Sequence, residues 1–290
     1  MATQLEQLLA RRARGIKRGR RIPRQQRPAH LERAYATQLL RIVDRVREAL
    51  APLLAELPRL LERNARARAD GRLDAGEGER LRTLIAEALA RVRGFIDPTQ
   101  LDALAKQLGH NVSSFSGAQL RRQIIAAIGV DVFASEAGLA AIVEGFAAEN
   151  VSLITNLAEQ LVSNVEGATT RALANATRHT DLAKEIEKMM GISRKRAKLI
   201  ARDQIGKLNG KVNHKRQTNL GINKYIWRTG KDRRVRGTPG GAFPNAKYSH
   251  FAREGKTFSW DEPPEDGHPG EPVLCRCGAE PDFDDLLAGL

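Results

Sequence analysis

The residues with the most chemical content lie near the end of the chain. Cys275 and Cys277 are its only two cysteines, and one residue, Arg276, separates them. In an extended segment alternate side chains point the same way, so both sulfurs of Cys-Arg-Cys can face one ion. Zinc takes four ligands, drawn mostly from Cys and His. His250 and His268 are the histidines nearest in sequence, so His250, His268, Cys275 and Cys277 make up a Cys2His2 set. His268 stands between Gly267 and Pro269, in a loop able to bend back on the cysteines. Two other readings stay open. The preferred, plainer one makes the cysteines small buried hydrophobes and gives His250 a structural hydrogen bond. The third is a redox pair, although a C-x-C disulfide is strained. Zinc is the one cofactor the sequence suggests, and nothing in it requires one.

Clustered cations are the second kind of chemistry. The formal net charge is +14, unevenly placed: +9 over residues 1–50, −3 over 51–170, +14 over 171–236 and −6 over 237–290. Such blocks are the footprint of a polyanion partner. The first contains Arg11, Arg12, Arg14, Arg18, Arg20 and Arg21. The second contains Arg194, Lys195, Arg196, Arg233 and Arg236. These eleven are the candidate contacts to a nucleic-acid partner; ten of them carry guanidinium forks, which match phosphate oxygens. Asp232 beside Arg233, Arg234 and Arg236 fits either a phosphate clamp or an internal pair in which Asp232 orients Arg236. Trp227 and Trp260 can stack on bases, but a core role is expected of both. Two histidines with Arg and Asp allow a small nuclease. No paired-carboxylate site, P-loop or Gly-x-Ser-x-Gly elbow supports catalysis, so no catalytic residue is assigned and no enzyme is expected.

The elements that position these residues follow from composition. The 290 residues are 41% hydrophobic but only 4% aromatic, and two cysteines exclude a disulfide scaffold. No run of about 18 apolar residues suggests a membrane span, and none of signal-peptide type follows the first arginines, so no membrane partner is expected. Residues 99–238 contain no proline, whereas 221–290 hold eight of the 13 aromatics. That shift marks a boundary near 220. Before it the chain reads as helix. Leu39, Leu40, Ile42, Val43, Val46, Leu50, Leu53 and Leu54 recur at helical spacing, with Pro58 ending or kinking the helix. Asp74-Ala-Gly-Glu-Gly-Glu resembles a turn. Asp97-Pro98 suits a helix start. Leu139, Ile142, Val143, Phe146, Leu153, Ile154, Leu157, Leu161 and Val165 form one stripe. Residues 180–210 read as two short helices broken at Gly191, with Ser193 capping the second. A scaffold role is preferred for the pair over a DNA-reading helix-turn-helix. Beyond 220, Tyr225–Thr229 and Gly255–Trp260 have strand character amid Gly/Pro loops.

The order of motifs in this last region carries a resemblance. Ala197, Ile200-Ala201-Arg202-Asp203 and Gly206 lie on a basic helix. Gly221-Ile222, Tyr225, Trp227, Thr229 and Asp232-Arg233-Arg234-Val235-Arg236 follow. Then come His250, Gly255, Phe258, Pro263-Pro264, Gly267-His268-Pro269 and Cys275-Arg276-Cys277. In order and approximate spacing the set resembles the C-terminal domain of the phage Mu F-like minor head proteins, the phage head-morphogenesis family. Thirteen residues inserted between Arg236 and His250 depart from that pattern.

The resemblance implies a minor capsid protein of a tailed phage, acting in procapsid assembly inside the virion near the portal vertex. Its implied partners are the portal protein, the major capsid or scaffolding protein, and phage double-stranded DNA. The fold class expected is mainly α: an elongated N-terminal helical region and a small α+β C-terminal module with long Gly/Pro-rich loops. The division expected is a basic flexible arm at 1–30, a helical portal- or capsid-docking region at 31–178, and the Mu F-like module with an acidic tail at 179–290. The alternatives kept are a DNA-binding protein using the helix pair at 180–210, and a small nuclease or toxin module.

Overall fold

A computed structural model describes residues 22–70, 75–129, 131, 136–175 and 177–283. The six arginines of the expected arm, Arg11 to Arg21, lie outside the described residues, as do residues 284–290. Among the described residues five α-helices come first: α1 Ala29–Ala69, α2 Ala75–Phe95, α3 Pro98–Ile128, α4 Leu139–Ala174 and α5 His179–Asn219. Strand β1 Lys224–Arg228, a 3-10 turn Phe251–Arg253, β2 Thr257–Ser259 and β3 Gly278–Pro281 follow. The chain is mainly helical, with a small three-stranded antiparallel sheet near its C-terminal end. No helix among the described residues is long and apolar enough to cross a membrane.

Where helices start and stop, local chemistry and the apolar stripe compete. At Asp97-Pro98 they agree, and the Asp97 carboxylate accepts the Thr99 N–H at 2.9 Å. At Pro58 they conflict. The expected break does not occur, and α1 runs through both Pro52 and Pro58. An interior proline costs about 3 kcal/mol. Against it, Leu50, Leu53, Leu57, Leu60 and Leu61 are all buried, each contributing roughly 1.5–3 kcal/mol. The turn expected from Asp74 is mostly helix, since α2 already begins at Ala75.

The same competition removes the expected helix pair. Residues 179–219 are one helix. Leu182, Ile186, Met190, Ser193, Ala197 and Ala201 are buried at spacings of three and four, passing Gly191 without interruption. Gly191 is not among the glycines with positive φ, so it does not terminate the helix.

The chain forms two compact units, each built from separated segments. One comprises 33–104 and 148–201. Its core is the α1 stripe with Leu81, Leu84 and Val92 of α2, Ile154, Leu157 and Leu161 of α4, and the early α5 stripe. Buried Tyr35 donates its hydroxyl to Asn150 Oδ1 at 2.5 Å, and Asn64 donates to the Leu173 carbonyl at 2.8 Å.

The other unit comprises 1–32, 105–147 and 202–290, described where the structure allows. Val112, Ser116, Leu120 and Ile124 of α3 and Ile205, Leu208 and Val212 of α5 are buried in it. Ser116 and Asn213 hydrogen-bond at 2.6 Å. Arg216 is buried, donating to the Ser113 carbonyl at 2.6 Å and to Glu136 at 2.9 Å. Residues preceding α1 belong to this unit. Gln123 donates to the Pro23 carbonyl, and the Gln25 and Gln26 amides donate to Glu280 and Gln119.

The sheet order is β2-β1-β3. Tyr225 pairs with Phe258 on one side and Pro281 on the other, and Trp227 opposes Ala279. Alternation along β1 sends Tyr225 and Trp227 to one face, both fully buried. β1 overlaps and β2 falls within the segments expected to be strands; Gly278–Pro281 carries no such signal.

Candidate functional site

Helix α5 is the platform on which the site is built. Gly206 and Gly210, one turn apart, let the loop Gly267-His268-Pro269-Gly270 lie against it. A β-carbon on Gly210 would fall 2.7 Å from the Pro269 carbonyl oxygen, and one on Gly270 would fall 2.8 Å from that of Gly206. Farther along, Gln217 accepts from Trp260 Nε1 at 3.1 Å and donates to the Ala279 carbonyl at 3.0 Å. Asp203 accepts the Leu274 amide at 2.6 Å, holding a turn in which Leu274 has φ of 56°. That turn delivers Cys275. The sheet supplies the opposite wall, and Tyr225, Trp227, Trp260, Cys275, Cys277 and Ala279 form one buried cluster. Both tryptophans are therefore core residues rather than exposed stacking platforms.

At the centre of this cluster the structure brings together three of the four expected ligands. His250 Nδ1 lies 3.6 Å from Cys275 Sγ and 3.5 Å from Cys277 Sγ, and the three donor atoms all fall within 4.8 Å of one another. Both thiols are free and buried. The other ring nitrogen, Nε2, is 2.8 Å from Asp266 Oδ2. Asp266 in turn accepts from Arg253 at 2.6 Å and lies 3.6 Å from Arg236. Arg253 also covers the Trp227 ring at 4.8 Å, and Trp227 meets His250 edge-on at 5.2 Å.

His268, expected as the fourth ligand, is engaged elsewhere. Its Nδ1 is 2.9 Å from Tyr225 Oη, its amide donates to Glu271, and its ring packs against Trp260 at 4.9 Å. The Pro-Gly loop does bend back, but onto α5, where the two glycines seat it.

The electrostatics of the trio separate the two thiols. Cys275 is drawn well below the usual thiol range, chiefly by its hydrogen bond with Cys277 and then, against burial, by His250. Cys277 is pushed up by Cys275 and by burial. Burial disfavours a charged His250 ring, but Cys275 and Asp266 outweigh it and raise its pKa. Asp266 is lowered despite burial, by His250 and Arg253.

The candidate DNA contacts fall in different places. Arg194 pairs with Asp44, while Lys195 and Arg196 are exposed on α5. Arg233 donates to the Gly240 carbonyl at 2.8 Å. Arg236 donates to the Val273 carbonyl at 2.9 Å and reaches Asp266, so its fork is partly occupied. Asp232 does not orient Arg236. Its carboxylate accepts from Arg276 Nε at 2.5 Å and from the Arg234 amide. Asp266, Arg253, Gln217 and Gly210 escape sequence reading because each is a lone residue whose partner lies far away in the chain. Only Gly206-x-x-x-Gly210 leaves a trace, a small-residue spacing on one helix face.

The described residues thus form a largely helical chain that leads into a small α+β module with an aromatic, cysteine-bearing core. Residues 163–280 match the family described as Phage Mu protein F like protein, so this C-terminal segment is similar to a Mu F-like module. The matched segment is less than half of the chain. An uncharacterized protein of Haemophilus influenzae is 34% identical over 143 residues, 49% of this chain and 30% of that protein. The chain thus spans under a third of that relative's length. No solved structure matches it.

Proposed function

We propose that this chain is a minor capsid protein that acts during procapsid assembly inside the phage head, docking on the portal protein and on the major capsid or scaffolding protein. Its basic segments would contact packaged double-stranded DNA. The observation that carries this reading is the Mu F-like match over 163–280, whose ordered motif residues pack around one cluster: Tyr225, Trp227, Cys275 and Cys277. A structural role also suits a module whose two tryptophans, Tyr225 and both cysteines are buried.

The test is co-expression with the portal and scaffolding proteins of the same phage. Co-purification with portal rings is expected, and failure to associate with portal or procapsids overturns the reading. For DNA, Lys195→Glu with Arg196→Glu changes two exposed side chains. The double variant should bind duplex DNA more weakly at low salt, with a salt slope shallower by about 0.9 for each phosphate no longer neutralised. An unchanged slope removes this face of α5 from the DNA surface.

A further inference from the structure

We propose that His250 Nδ1, Cys275 Sγ and Cys277 Sγ form a three-ligand site for one thiophilic divalent cation of the zinc class. A solvent-derived ligand would complete its tetrahedron.

Geometry is the first support. Zinc holds sulfur at about 2.3 Å and imidazole nitrogen at about 2.0–2.1 Å, so two such ligands on a tetrahedron stand about 3.6 Å apart. The observed nitrogen–sulfur separations are 3.6 and 3.5 Å. The ring is also set up to coordinate. With Nε2–H donated to Asp266, the Nδ1 lone pair faces both sulfurs. A carboxylate behind a ligating histidine is the usual outer-shell arrangement, and Asp266 is itself held by Arg253. The ligands arise from two loops, 25 and 27 residues apart, so an ion would cross-link them.

Charge is the second support. Two thiolates bound to one divalent cation are neutral overall, which suits a site where all three ligands are buried. Access is the third. His250 and Cys275 line a cavity of about 280 Å³, whose wall also carries Arg234, Arg236, Phe243 and Val273. It offers a path for the ion and room for the fourth ligand. No other His, Cys, Asp or Glu among the described residues joins the group.

The full chain, purified without chelator from zinc-supplemented cells, should carry about one zinc per molecule. The cobalt-substituted protein should show thiolate-to-metal charge-transfer absorption and the visible bands of a tetrahedral ion. Cys277→Ser and His250→Gln should lose the metal. Asp266→Asn should keep it with affinity reduced about 10–100-fold. His268→Gln should keep it unchanged. A wild-type protein without zinc and without the cobalt charge-transfer band overturns the proposal even if every variant misfolds. Full zinc content in Cys277→Ser also overturns it. Loss of zinc in a folded His268→Gln, with helical circular dichroism intact, makes His268 a ligand and overturns the three-ligand form.

Discussion

At the residue scale, the site illustrates how one carboxylate can decide what a histidine does. Asp266 takes Nε2 of His250, and only Nδ1 remains to face the thiols. His214 and His268 of the same module are shifted toward the neutral form. Burial lowers the pKa of His214, helped by His268, and burial lowers that of His268, while Glu271 opposes both and Asp261 also opposes the shift of His214. For a group depressed in the folded state, the stability contribution is complete above the unfolded value of about 6.5. It is lost as pH falls through the folded value. The contribution of these two histidines to the melting temperature should therefore be level above pH 7 and fall below pH 6.5, whereas His250, whose pKa is raised, contributes in the opposite sense. His214 stacks on Trp260 at 4.2 Å and 5°. His214→Phe keeps a ring there and should flatten that decline; an identical pH profile in the variant would show that His214 is not responsible. Of the four residues grouped from the sequence, His250, Cys275 and Cys277 come together, while His268 is held by a different hydrogen bond. Tyr225, 43 residues from His268, is that partner, and no local spacing announces it.

At the element scale, two glycines of α5 should respond in opposite directions. Gly191 lies mid-helix, and a β-carbon there meets nothing within 4 Å. Gly191→Ala should stabilise by about 0.5–1 kcal/mol. Gly210 faces the Pro269 carbonyl at 2.7 Å, and backbone on both sides leaves little room to yield. Gly210→Ala should destabilise by about 1–3 kcal/mol. Chemical denaturation of both variants checks the pair, and equal shifts would contradict the seated loop. The helical class, the Asp97-Pro98 start and β1 were legible because pattern and local chemistry agree there. At Pro58 and Gly191 a breaker sits within an unbroken apolar stripe, and the stripe prevails. Strand β3, Gly-Ala-Glu-Pro, has no propensity of its own. It forms because Tyr225 to Arg228 present an unpaired edge that Gly278–Pro281 completes.

At the scale of the whole molecule, the residues just before α1 matter more than their irregular conformation suggests. Pro23, Gln25 and Gln26 engage Gln123, Glu280 and Gln119. Removing residues 1–28 should lower the melting temperature below that of a chain lacking only 1–21, because Glu280, buried beside Arg228 at 2.6 Å, loses the Gln25 amide. Thermal melts of the two truncations check this, and equal melting temperatures would mean that residues 22–28 add nothing.

The assembly of this unit from three separated segments also bears on heredity. The segment that matches the family begins at residue 163. The compact unit containing its sheet also recruits residues up to 32 and 105–147. A recombination event joining this C-terminal segment to a foreign gene would transfer the cysteines and tryptophans intact. It would leave Gln217 and β3 in place but strand Arg216 without Ser113 and Glu280 without Gln25. Exchange among such genes should therefore favour crossovers that carry the earlier segments along, or be followed by compensating changes at positions 216 and 280.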